Sequence, residues 1–227
     1  MKYPLTIFAT TALLAVGCGQ ESAHYQTVPR MPSTHTWSDR IAGWPEPSRK
    51  AAREMGNKYG APDEITETQL VWHERGPWKR SILSRDGTPH DWPSPHVDVL
   101  EQVVDLRVDP QRADDIARFD GSVIVERTKG ELSARCGGEA ANFLAINLAR
   151  DVAMGTRTVQ NARAFYEQAM AAAAEGNEPA EMEQLVFADP QGETADPDAP
   201  AKPKSTARRK PKAVSEQSSK EAPGAVP

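Results

Sequence analysis

The run SVIVERTKGELSARCGGEAANFLAINLARDVAM, from Ser122 to Met154, decides the fold class. Its first half reads as two short strands, Ser122 to Thr128 and Glu131 to Arg135, joined across Lys129-Gly130. A glycine between two β-rich runs signals a hairpin, because it takes the positive φ of a tight turn without steric cost. The second half changes period. From about Gly138 to Met154, the residues Ala141, Leu144, Ala145, Leu148 and Val152 recur at helical spacing, and such a stripe seeks an apolar surface to cover. A hairpin that feeds directly into an apolar helix predicts an α+β protein in which the helix packs on the sheet.

The neighbouring segments extend that pattern. Val97 to Val108 reads as a strand, with Val104, Leu106 and Val108 alternating against Asp105 and Arg107, the period of a half-buried strand. Asp109-Pro110 then reads as an N-cap followed by proline at the first helical position, opening a helix to about Phe119 that ends in an Asp120-Gly121 turn. Further upstream, Gln69 to His73 and Trp78 to Leu83 form a hairpin across Arg75-Gly76-Pro77, and Asp86-Gly87 marks the next turn. Ser48 reads as the cap of a helix running to Tyr59, with Ala51, Ala52, Met55 and Tyr59 on one face and Gly60 and Pro62 as its stop,. Downstream, a last helix starts at Thr158 and carries Val159, Ala162, Phe165, Tyr166 and Ala169. The expectation is a single α+β domain over residues 37–188, an antiparallel sheet of short strands with helices packed on one face.

The two ends read differently. Met1-Lys2 is a positive start, Leu5 to Val16 is apolar apart from threonines, and Ala15-Val16-Gly17-Cys18 closes the segment with small residues before a thiol. That layout is a secretory signal peptide, and its apolar stretch is shorter than the ~20 residues that span a bilayer. The Ala-Val-Gly-Cys ending resembles the lipobox of bacterial lipoprotein precursors. The resemblance implies cleavage after residue 17, acylation (palmitate or a similar chain) of Cys18, and, with Gly19 following, anchoring in the outer membrane and a life in the periplasm or at the cell surface. Residues 1–17 are then a signal peptide and 18–36 a lipidated flexible tether. The body from Trp44 through Tyr166 resembles bacterial envelope proteins without an assigned activity. In element order alone, residues 48–83 are similar to small outer-membrane assembly lipoproteins.

Residues 189–227 hold seven of the chain's nineteen prolines and too little apolar surface to offset the entropy of ordering them, so this tail is expected to be disordered. Within it, Lys202, Lys204, Arg208, Arg209, Lys210 and Lys212 form a basic run. Such a run suits an anionic envelope polymer or stays a solvated extended tail. The body is acidic, with 25 Asp and Glu against 18 Lys and Arg in residues 37–188. Nucleic acid is therefore excluded as its partner, since phosphate contacts dominate that affinity.

Candidate chemistry is sparse. With Cys18 acylated, Cys136 is the remaining thiol. It reads as a small buried apolar residue or, placed between a strand and a helix and beside Arg135, as a thiolate for redox or nucleophilic work. A nucleophilic cysteine needs a histidine base, and His73, His90 and His96 are the histidines of the body. The segment His90-Asp91-Trp92-Pro93-Ser94-Pro95-His96-Val97-Asp98 collects metal-ligand types, with His90, His96 and Asp98 the residues that would bind an ion. Its spacing matches no recognised ligand pattern, so the segment reads first as an ordered turn with no metal or other cofactor. The five tryptophans, all between Trp37 and Trp92, read as core packing and second as a sugar-stacking surface. Glu126, Glu131 and Glu139 are carboxylates to which no catalytic role is given. No phosphate loop, Cys-x-x-Cys, His-Glu-x-x-His or Gly-x-Ser-x-Gly is present,. The expected function is a binding or scaffold module for an envelope component, with the membrane reached through the lipid. The alternative is a cysteine-dependent periplasmic enzyme or redox protein using Cys136.

Overall fold

The computed structural model describes residues 36–188, 190 and 192–198, and the domain begins at Trp37. The signal peptide, Cys18, the tether up to residue 35 and the basic run of residues 202–212 lie outside the described residues. The elements, in chain order, are α1 (Trp37–Arg40), α2 (Glu46–Tyr59), β1 (Glu64–Ile65), β2 (Gln69–Arg75), β3 (Trp78–His90), β4 (His96–Asp105), a 3-10 turn (Pro110–Arg112), α3 (Ala113–Phe119), β5 (Val123–Glu126), β6 (Glu131–Cys136), α4 (Glu139–Met154), α5 (Val159–Ala174) and α6 (Ala180–Glu183). The strands form one antiparallel sheet in the order β1-β2-β3-β4-β6-β5. The expected α+β architecture is the one observed, with the helices on one face.

Strand alternation selects that face. Leu70, Trp72, Leu83, Leu100, Leu132 and Ala134 are all fully buried, and α2 and α4 lie over them. Trp72 and Trp78 are core residues, and the Trp72 indole N–H donates to Gly60 O at 3.0 Å. Core packing is thus what the central tryptophans do, as expected. The α4 stripe reads as one-sided, yet residues 141–149 are buried without interruption, because α3, α5 and α6 cover the side turned away from the sheet.

The opposite sheet face carries charge. Arg80 grips Glu131 through both guanidinium nitrogens, at 2.9 and 2.5 Å, and Lys79 reaches Asp105 at 2.7 Å and Glu131 at 3.1 Å. The Arg80 hydrogen bond, reinforced by Lys79 against the opposing effect of burial, holds the Glu131 carboxyl down at about 2. Glu131 is structural, and Glu126 pairs with Lys129 at 2.9 Å.

Three features depart from the sequence reading. Helix α2 starts at Glu46 and not at Ser48, whose buried hydroxyl donates instead to Arg85 O at 2.7 Å and ties the helix to β3. Asp86-Gly87 is not a turn, and β3 runs through it for 13 residues with a bulge between Leu83 and Thr88. Gly87 makes the bulge possible, since a Cβ there would come within 2.5 Å of Val97 Cγ1 and 2.7 Å of Asp98 O,. Residues 192–198 lie along the β5–β6 hairpin, so the folded part reaches past the boundary expected at 188. Asp196 N donates to Arg127 O at 3.1 Å, Asp196 and Asp198 pair with Arg127, and the Thr194 backbone sits where a Gly130 side chain would be.

Candidate functional site

Extending β3 to His90 changes what its histidine can meet. His90 and His96 are direct cross-strand partners, closing the β3–β4 hairpin around residues 91–95. Their rings lie 4.9 Å apart. By alternation, His96 and Asp98 point to the same face as Leu100, the face on which α4 packs,. Leu100 in turn pairs with Cys136, the last residue of β6, so the thiol arrives beside the histidines.

The turn that carries the histidines is clamped to α5. The Trp92 indole N–H donates to Glu167 Oε1 at 3.0 Å, the Arg163 guanidinium lies 3.9 Å over the Trp92 ring, and the Tyr166 ring is 4.7 Å away. Arg163 also donates to Phe119 O at 2.7 Å, locking the end of α3 to the same place. That end supplies Asp120 and Ser122. Four segments, the β3–β4 hairpin, the α3–β5 turn, β6 and α5, therefore converge.

The centre of the cluster is Asp98, whose side chain is 1% exposed. Its Oδ2 accepts a short hydrogen bond from Ser122 Oγ and lies 3.4 Å from His90 Nδ1. Its Oδ1 is buried without a hydrogen-bond partner, 3.1 Å from His96 Nε2. That same nitrogen is 3.4 Å from Cys136 Sγ. The other ring nitrogen, His96 Nδ1, is 2.8 Å from Ser94 O, and a carbonyl can only accept, so Nδ1 carries its hydrogen. His96 Nε2 thus faces both Asp98 Oδ1 and Cys136 Sγ. The bond to Cys136 is the largest cause that pushes His96 up to about 9, with burial opposing it and the Ser94 carbonyl and Asp98 adding to it. Burial raises the Asp120 carboxyl, against the Ser122 N–H bond and His90, whose Nε2 is 3.8 Å away. Tyr166 is 2% exposed; burial above all, then the neighbouring Cys136 and Asp120, raise its phenol.

The residues singled out in the sequence sort themselves clearly. Cys136, His90, His96 and Asp98, expected as two unrelated candidates, form one site whose ligand atoms on His90, His96 and Asp98 all fall within 4.8 Å of one another. His73 is elsewhere, paired with Glu64 at 2.6 Å on the edge of the sheet. Arg135 does not assist Cys136, because consecutive strand residues face opposite sides,. Asp120, Ser122, Ser94 and Tyr166 were not legible as site residues. Asp120 reads as a turn residue and Tyr166 as one more member of an apolar stripe. The fold and site together define an α+β domain with a buried imidazole–carboxylate–thiol cluster at one end of its sheet. No protein-family model, no curated protein and no solved structure matches the chain.

Proposed function

We propose that this chain is an exported, lipid-anchored binding module whose domain takes up a metal cation between His90, His96 and Asp98. The observation that carries the reading is the buried Asp98 Oδ1, which has no hydrogen-bond partner and faces His96 Nε2 at 3.1 Å. A buried carboxylate oxygen without a donor costs about 1–3 kcal/mol or more, and a cation among its neighbours removes that cost. His96 is oriented as ligating histidines are, its other ring nitrogen donating to a backbone carbonyl,. The lipobox and the signal peptide support the compartment, and the basic tail suits an anionic envelope polymer as a further contact. The test is elemental analysis and equilibrium dialysis of tag-free full chain. One ion per chain, lost in His96→Ala, is expected, and no bound ion across the first-row divalent metals ends the reading. For the anchor, labelled fatty acid is incorporated in the wild type and not in Cys18→Ala.

A second reading, a cysteine-dependent enzyme or redox protein, is supported by the 3.4 Å approach of His96 Nε2 to Cys136 Sγ. Its test is the alkylation rate of native protein against pH. A thiol that reacts at neutral pH, and slows in His96→Ala, supports it, while a thiol inert until unfolding removes it.

A further inference from the structure

Resting on the cation reading above, we infer that Cys136 is a fourth ligand of the site, so that it takes a thiophilic transition ion of the zinc class and refuses Ca²⁺ and Mg²⁺. Four observations carry this. First, Cys136 Sγ and Asp98 Oδ1 approach the same nitrogen, His96 Nε2, at 3.4 and 3.1 Å. Metal–nitrogen, –oxygen and –sulfur bonds of about 2.0–2.3 Å arranged tetrahedrally require ligand atoms roughly 3.4–3.7 Å apart. Both distances are near the edge of such a tetrahedron; the ligand atoms of His90, His96 and Asp98 already lie within 4.8 Å of one another, and Cys136, which stands outside that group, has to swing its sulfur inward to complete the site. Second, His90 Nδ1 lies 3.4 Å from the other oxygen of Asp98, which places a second imidazole beside the same carboxylate.

Third, the supporting groups are those a metal ligand needs. Ser94 O fixes the His96 ring, Ser122 Oγ donates to Asp98 Oδ2 and not to Oδ1, and the buried Tyr166 phenol is a neighbour of Cys136. Outer groups of this kind orient ligands and tune their donor strength. Fourth, the thiol has no disulfide partner among the described residues, and it stands 7% exposed, shielded from casual oxidation but at the end of a surface hairpin. A soft thiolate with two imidazoles and one carboxylate favours Zn²⁺, Co²⁺ or copper over the hard cations that want oxygen alone. On binding, the thiol proton and the His96 Nε2 proton pass to solvent and the sulfur and nitrogen lone pairs go to the metal, with no change of oxidation state,.

The test uses reduced, tag-free full chain titrated with Co²⁺. The expected result is a thiolate-to-cobalt charge-transfer band in the near ultraviolet with the intense visible bands of tetrahedral Co²⁺. Zn²⁺ removes both, and a large excess of Ca²⁺ or Mg²⁺ removes neither. Cys136→Ser loses the charge-transfer band, and Tyr166→Phe keeps it while weakening affinity roughly 10-fold, the scale of an outer-group loss. Cobalt that binds stoichiometrically without a charge-transfer band, with Cys136→Ser binding as tightly, overturns the thiolate inference and leaves the cation reading standing. Absence of any binding, in wild type with its fold verified by circular dichroism, overturns both. The wild-type spectrum decides the matter even if a variant fails to fold.

Discussion

Two carboxylates, the half-buried Glu139 and the buried Asp98, serve the same layer of this protein, and their neighbours make them opposites. Glu139, in the first turn of α4, is surrounded by donors. Its Oε1 accepts from Trp78 Nε1 at 2.6 Å, Tyr59 OH at 2.7 Å and Gln102 Nε2 at 3.3 Å, and its Oε2 pairs with Lys58 at 2.6 Å. Burial pushes its carboxyl up, but the Lys58, Tyr59 and Trp78 bonds outweigh that and hold it below the usual range. Asp98, on β4, has one hydroxyl donor, two titratable imidazoles, a thiol close by and a second carboxylate, Asp120, in the same cluster. The first arrangement is closed and joins α2, β3, β4 and α4. The second has Ser122 as its one hydroxyl donor and otherwise depends on groups that can lose a proton. The ratio of donors to acceptors around each carboxylate, more than burial itself, separates the structural site from the proposed binding one.

The largest expected effect tests that contrast directly. Glu139→Ala strands an indole N–H, a phenol and an ammonium, and is expected to cost about 3 kcal/mol in urea unfolding. Asp98→Asn, measured in chelator, is expected to cost less than about 1 kcal/mol, because the orphaned oxygen contributes little there. Equal costs at the two positions would break the comparison. Next comes the effect of the ion. Zn²⁺ at 100 times its dissociation constant is expected to raise stability by about 2.7 kcal/mol in the wild type and by nothing measurable in Asp98→Asn or His96→Ala.

Gly87→Ala sharpens the comparison from the backbone. A methyl there collides with Asp98 O and Val97, so a loss of about 2 kcal/mol is expected, with weaker Zn²⁺ uptake in isothermal titration and the Glu139 hub untouched. The smallest effect belongs to the outer sheet face. Glu131 is held at about 2 against its ordinary 4.5, so its contribution is complete above pH 4.5 and is lost as pH falls through 2. Allowing for the solvent exposure of Lys79 and Arg80, Glu131→Gln is expected to remove roughly 1–2 kcal/mol at neutral pH and to flatten acid unfolding between those values.

Much of the fold was legible because local rules and tertiary packing agreed. The β2–β3 and β5–β6 hairpins, the Asp109 cap, whose side chain accepts from Gln111 N at 2.9 Å, and the start of α5 at Thr158 stand as read. What failed were places where long-range contact overrode a local preference. Asp86-Gly87 carries a turn signature, yet the ladder to β4 and the close approach of Val97 and Asp98 to Gly87 keep it in a strand. Ser48 carries a capping signature, yet its hydroxyl finds Arg85 O on another element. The short β1, the terminal α6 and the docked residues 192–198 had too little periodicity to announce themselves.

The site followed the same division. Its residue types were visible: a lone thiol at 136, and two histidines and an aspartate between 90 and 98. Their meeting was not, because it depends on β3 reaching His90, on β4 pairing with β6 so that Leu100 lies beside Cys136, and on α5 returning to place Tyr166 against the sulfur. By itself the sequence determined the elements and the face each would bury, since these depend on the spacing of apolar residues over a few turns. Only the tertiary structure decided which polar side chains share a cluster. That choice rests on strand register and order across residues 90 to 166, and a shift of one residue along a strand would send each of them to the other face of the sheet.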